Sequence, residues 1–153
     1  MVTIESVEFK NVFLRMAGNG VTETSGPGGG TVNCQFGANS YEKFELIGQP
    51  DGTFAIASVE FKNVFLRMAG NGVTESSGPG GGTVNCQFGV GAYEKFYIVP
   101  QDEGTIAIAS QAFPGVFLRM AGNGVTEQSG PGGGTVNCQF GVGGYEKFKI
   151  TVL

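Results

Sequence analysis

The chain writes one stretch three times at a fixed spacing of 52 residues, and nothing else about it restricts the fold so strongly. Val12-Phe13-Leu14-Arg15-Met16 returns as Val64-Phe65-Leu66-Arg67-Met68 and as Val116-Phe117-Leu118-Arg119-Met120. Cys34, Cys86 and Cys138 keep the same step, as do the Tyr-Glu-Lys-Phe runs that begin at Tyr41, Tyr93 and Tyr145. Across residues 12–37 a single column differs, Thr24 against Ser76 and Gln128. A unit this short cannot bury its apolar face alone, so three copies have to close around one interior. Whatever surface one copy presents, the molecule presents three times. That suits binding better than catalysis, which usually needs one asymmetric site.

Each copy holds four short segments that alternate with period two, separated by turn residues. In the middle copy they are 53–58, 64–69, 82–89 and 94–99. The first sets Phe54, Ile56 and Ser58 against Ala55 and Ala57. The second sets Val64, Leu66 and Met68 against Phe65 and Arg67, and the third sets Val84, Cys86 and Phe88 against Asn85 and Gln87. In the fourth, Phe96 and Ile98 turn inward, while Glu45, Tyr97 and Lys149 vary as an exposed column does. No segment carries helical periodicity, and Gly-Pro and Gly-Gly breaks recur too often for long helices. Four strands in three copies predict an all-β chain of twelve strands: a single β-trefoil domain over residues 1–153, with repeats at about 1–52, 53–104 and 105–153. Such a fold is a six-stranded barrel capped by three hairpins.

The order of strand, strand, Gly-rich turn, strand and Glu-Lys-Phe strand resembles fascin-like and ricin-like β-trefoil domains over the whole chain. The stretch Ser110-Gln111-Ala112-Phe113-Pro114-Gly115-Val116-Phe117-Leu118-Arg119 is similar to arabinose-binding trefoil modules. In those modules a histidine follows the Leu-Arg pair and helps to hold the sugar; Met16, Met68 and Met120 stand there in this chain. The ricin-type Gln-X-Trp signature is absent, because the chain has no tryptophan. The resemblance implies a trefoil, with sugar binding or filament binding as the expected activities.

Composition removes other classes. Net charge is −4, with 9 Lys and Arg residues, so a nucleic acid is not an expected partner: phosphate binding rests on clustered positive charge. Histidine is absent, which excludes a Ser-His-Asp triad, a histidine pH switch and histidine metal sites. The run Ser25-Gly26-Pro27-Gly28-Gly29-Gly30 lacks the Gly-Lys-Ser/Thr and following helix of a phosphate loop, so it reads as a wide turn. Three cysteines at equal spacing read as buried thiols; a three-sulfur metal site at the threefold axis is the sharper alternative, one ligand short of ordinary structural zinc. No cofactor is expected. No apolar run reaches membrane-span length and the N-terminus has no signal-peptide pattern, so the expected location is cytoplasmic or non-classically secreted.

The strongest candidate surface is the hairpin of the second and third strands. With Leu14 and Met16 inward, Arg15 points outward; with Val32, Cys34 and Phe36 inward, so do Asn33 and Gln35. Antiparallel pairing sets these three side by side, and their directional donors and acceptors suit vicinal hydroxyls. Phe13 or Tyr41 is placed to stack on a sugar ring. The turn containing Asn19 and the loop 23–30 wall the face. Threefold repetition extends the set to Arg67, Asn71, Asn85, Gln87 and Tyr93, and to Arg119, Asn123, Asn137, Gln139 and Tyr145. In the plainer reading Arg15 pairs with Glu23 or Glu42 and the amides satisfy loop backbone. Glu42-Lys43 reads as a surface charge pair. No two carboxylates are opposed as glycoside hydrolysis requires, so the chain is not expected to be an enzyme.

The expected function is therefore a lectin-like, trivalent glycan-binding module, acting as a monomer or weak homodimer. A fascin-like actin-binding module and a symmetric scaffold without a ligand are the alternatives. The connectors Gly48-Gln49-Pro50-Asp51 and Pro100-Gln101-Asp102-Glu103 differ between copies while the hairpin and its loop do not, which favours binding.

Overall fold

Period-two alternation becomes twelve strands in a computed structural model that describes all 153 residues. The first copy contributes β1 (Val2–Ser6), β2 (Val12–Ala17), β3 (Thr31–Phe36) and β4 (Phe44–Gly48). The second contributes β5 (Phe54–Ser58), β6 (Val64–Ala69), β7 (Thr83–Phe88) and β8 (Phe96–Pro100). The third contributes β9 (Ile106–Ser110), β10 (Val116–Ala121), β11 (Thr135–Phe140) and β12 (Phe148–Val152). Antiparallel pairs β1–β4, β4–β5, β5–β8, β8–β9, β9–β12 and β12–β1 close a six-stranded barrel. Closure leaves the barrel without a free edge. Hairpins β2–β3, β6–β7 and β10–β11 form the cap, each in unbroken register from its Val-Phe to its Ala-Thr pair. The molecule is a β-trefoil.

The interior is built in threes. Ile4, Val12, Leu14, Met16, Val32, Cys34 and Phe44 recur with their equivalents and, with Val2, make a buried cluster of 22 residues. Each large side chain removed from water contributes about 1.5–3 kcal/mol against chain entropy. Leu14 pairs with Cys34 and Met16 with Val32, so the two strands of a hairpin send the same face into the barrel mouth. The opposite face of β5 departs from simple alternation: Ala55 and Ala57 are buried as well, against Phe65. Ala57 stands opposite Phe65 where β5 pairs with β6.

The start of the fourth strand differs from the sequence expectation in every copy. Tyr-Glu of each Tyr-Glu-Lys-Phe run lies in a one-turn 3-10 helix, at Ser40–Glu42, Ala92–Glu94 and Gly144–Glu146. The fourth strand then starts at the Phe. Glu42 Oε1 closes the turn by accepting the Asn39 N–H at 2.7 Å, and Glu94 and Glu146 accept those of Gly91 and Gly143. A fourth such turn, Asp102–Gly104, makes the connector before β9. No helix is long and apolar enough to cross a membrane.

Candidate functional site

The Gly-rich segment between β2 and β3 leaves its own copy. Gly29 exchanges two backbone hydrogen bonds with Cys86 of the second copy, at 2.9 and 2.8 Å. Gly81 does the same with Cys138, and Gly133 with Cys34, so the three loops pass round the molecule in one direction. Each third strand thus has β2, β6 or β10 on one side and a neighbour's loop on the other, which covers an edge that would otherwise face water. Gly28 sits at φ +74°, and a Cβ there would stand 2.6 Å from the Cys86 carbonyl oxygen and 2.7 Å from Asn85 Oδ1. Only glycine lets the arm lie this close.

This crossing corrects the expected exposure of the Arg-Asn-Gln face. Arg15, Arg67 and Arg119 are 8–9% exposed, and Gln35, Gln87 and Gln139 5–7%. The strand geometry is as the alternation requires, since Arg15 stands opposite Asn33 and donates to its Oδ1 at 3.2 Å. The face is nonetheless roofed by the neighbouring copy: Asn33 Nδ2 donates to the Pro131 carbonyl at 3.0 Å and Gln35 Nε2 to that of Gly130 at 3.4 Å. Asn85 and Asn137 bond the carbonyls of Pro27 and Pro79, and Gln87 and Gln139 those of Gly26 and Gly78. The amides hold loop backbone. The loop 23–30 walls the next copy's hairpin, not its own.

Tyr41 is also committed. Its ring lies 5.0 Å beneath the Arg15 guanidinium and meets Phe61 edge-on at 5.2 Å, an arrangement repeated at Tyr93 and Tyr145. The face expected to stack on a sugar carries a cation. Glu42 is not a surface partner of Lys43: it is 1% exposed, with Oε2 3.9 Å from Arg15 Nε. Burial raises its carboxyl above the ordinary range, opposed by the Asn39 N–H and the Arg15 charge; Glu94 and Glu146 behave alike. No buried side-chain polar atom lacks a partner. Burial likewise pushes the Cys34, Cys86 and Cys138 thiols up to about 12, and no three cysteines or carboxylates converge to hold a metal.

Open space lies beside the loops instead. Three equivalent clefts of about 170, 180 and 160 Å³ sit within the loops of the first, second and third copies. The first is walled by Asn19, Thr22, Glu23 and Ser25, floored by the backbone of Gly28–Gly30, and closed by Gln87 from the second copy. Asn71 and Gln139 take these places in the second cleft, and Gln35 closes the third. Asn123 is exposed at the corresponding turn. Of the expected residues, the clefts therefore gather Asn19, Asn71 and the Gln35 column and leave out Asn123 and the Arg15, Asn33 and Tyr41 columns. Thr22, Glu23 and Ser25, which the sequence reading did not select, are exposed and line them. Their signal was the invariance of an exposed Thr-Glu beside a variable Thr24.

A β-trefoil with three polar clefts at its inter-copy seams is thus the class that fold and geometry define. No protein-family model matches the chain, and no curated protein matches it. Among solved structures it is similar to the designed 3-fold symmetric protein ThreeFoil, with TM-score 0.68 at 13% identity, over 99% of this chain and 98% of that one. It is also similar to part of a mosquitocidal holotoxin, with TM-score 0.72 at 12% identity, over 97% of this chain and 16% of the toxin. At these identities the likeness is one of fold.

Proposed function

We propose that the chain is a trivalent carbohydrate-binding module whose sites are the three loop clefts. The supporting observation is that the same exposed Thr, Glu and Ser stand around the same glycine backbone three times. A carboxylate accepts from two neighbouring hydroxyls at once, while threonine and serine hydroxyls and the Gln87 amide supply further donors and acceptors. Each cleft is smaller than the roughly 300–1,000 Å³ that encloses drug-sized ligands, and so fits one sugar ring. Single sites of this size are weak, and three on one rigid body raise avidity for clustered glycans by about 10²–10⁴.

A glycan array followed by calorimetry tests this reading. The expected result is monosaccharide binding with a stoichiometry near three, weakened at least about tenfold by Glu23→Gln with Glu75→Gln and Glu127→Gln; tenfold corresponds to about 1.4 kcal/mol. Glu23, Glu75 and Glu127 are exposed, so the variants keep the fold. Silence on the array by a folded protein favours a ligand-free scaffold instead.

A further inference from the structure

The seams are not equal beyond their clefts. Where the loop of the third copy crosses the first copy's hairpin, a groove of about 380 Å³ opens on the outer side of the arm. Its walls are Gln128 and Ser129 of the arm against Asn39, Ser40 and Tyr41, with Gln35, Arg15 and Glu42 also lining it. Gln35 and Ser129 also line the third cleft, so groove and cleft share a wall. At the next seam the corresponding groove shrinks to about 190 Å³, with Thr24 in place of Gln128 and Gly91 and Ala92 in place of Asn39 and Ser40. At the remaining seam, where Ser76, Gly143 and Gly144 stand, no groove forms.

The cause lies in three variable columns. Gln128, unlike Ser76 or Thr24, builds a tall outer lip. Asn39 and Ser40 raise the facing wall, and Asn39 Nδ2 ties to the Gln128 carbonyl at 3.4 Å. Gln128 is the one place where an otherwise invariant stretch departs between copies, and it stands at this lip. These columns add side-chain amides and a hydroxyl to a groove that Arg15 and Glu42, paired at 3.9 Å, also line, and together they make a surface for hydroxyl-rich ligands.

We infer that the seam between the third copy's loop and the first copy's hairpin is an extended site, in which the cleft takes one sugar ring and the adjoining groove takes the next. The inference rests on the carbohydrate reading of the clefts. The chain then carries one oligosaccharide site and two that are closer to monosaccharide sites, so a triplicated sequence acquires an order of preference.

The test is a titration followed by the amide signals of Thr22, Thr74 and Thr126. The probes are methyl glycosides of galactose, glucose, mannose and arabinose, and then their homodisaccharides. The expected result is that a methyl glycoside perturbs the three threonines with one affinity, while its disaccharide binds at Thr126 at least about tenfold tighter than at Thr74. The variant Gln128→Thr with Asn39→Gly and Ser40→Ala, each residue borrowed from an equivalent position, should remove that preference and leave methyl glycoside binding intact. Equal disaccharide affinity at all three threonines overturns the extended site alone. Absence of methyl glycoside binding by the folded protein overturns it together with the carbohydrate reading.

Discussion

Gly28 shows how one residue governs a seam. Its positive φ is a conformation that costs an L-residue about 1–2 kcal/mol, and the missing Cβ leaves room for the Cys86 carbonyl, Asn85 and Arg67. Gly26 has φ +91° but open space around it. Gly28→Ala should therefore cost roughly 2–4 kcal/mol, strain plus overlap, and Gly26→Ala only the strain of about 1–2 kcal/mol. Urea unfolding of the two variants checks the order; equal losses would show that the arm has slack. Glycine-rich spacing was legible in the sequence as a turn. The close approach was not, because the atoms that forbid a Cβ belong to Arg67, Asn85 and Cys86 of the next copy.

At the scale of the element, each cap hairpin is held by a buried Arg and Glu with a half-buried Tyr and Asn. Removing the cation leaves Glu42 buried without its charge partner, so Arg15→Ala should cost about 3–5 kcal/mol. Glu42→Gln keeps an oxygen for the Asn39 N–H and removes a charge that burial disfavours, while Arg15 retains Asn33 and Tyr41, so at pH 7 it should cost much less than Arg15→Ala. The pH profile follows from the same groups. Glu42, Glu94 and Glu146 have folded pKa values raised above 4.5, so the stability linked to their protonation is complete below pH 4.5 and is lost as pH rises through the folded values. Asp51 runs the other way: hydrogen bonds from Thr53 and Gln111 hold its carboxyl well below its ordinary 3.8, and its contribution fades as pH falls below that. Chemical denaturation should show stability rising from pH 7 to about 4.5 and falling in stronger acid. Glu42→Gln combined with Glu94→Gln and Glu146→Gln should lose the upper slope, and a parent profile that falls between pH 7 and 4.5 would contradict this account.

For the whole molecule, every seam is made between copies. The loop arm of one copy bonds the next, Gly18 lies against Val64 and Phe61, Tyr41 packs on Phe61, and β4 pairs along its length with β5. An isolated copy would expose half of each contact. Residues 53–104 alone should be unfolded as a monomer and gain sheet only on assembling into a trimer. Sedimentation and circular dichroism across concentration check this, and a folded 52-residue monomer would be the contrary result. The chain ends meet in the same way, with the Leu153 N–H donating to the Met1 carbonyl at 2.9 Å while β12 pairs with β1.

Strand positions and the inward set of Leu14, Met16, Val32 and Cys34 were legible because side-chain direction alternates along a strand whatever surrounds it. The pairing of Arg15 with Asn33 follows from the same local rule. Which polar residues meet water was decided only in three dimensions. The roof over Arg15 and Gln35 comes from a loop about a hundred residues away, Pro131 lying 98 positions from Asn33. Three near-identical loops and three identical hairpins give a reader of the sequence no means of telling a contact within a copy from one between copies. Chain geometry made that choice, and with it roofed the Arg-Asn-Gln face and left Thr22, Glu23 and Ser25 exposed.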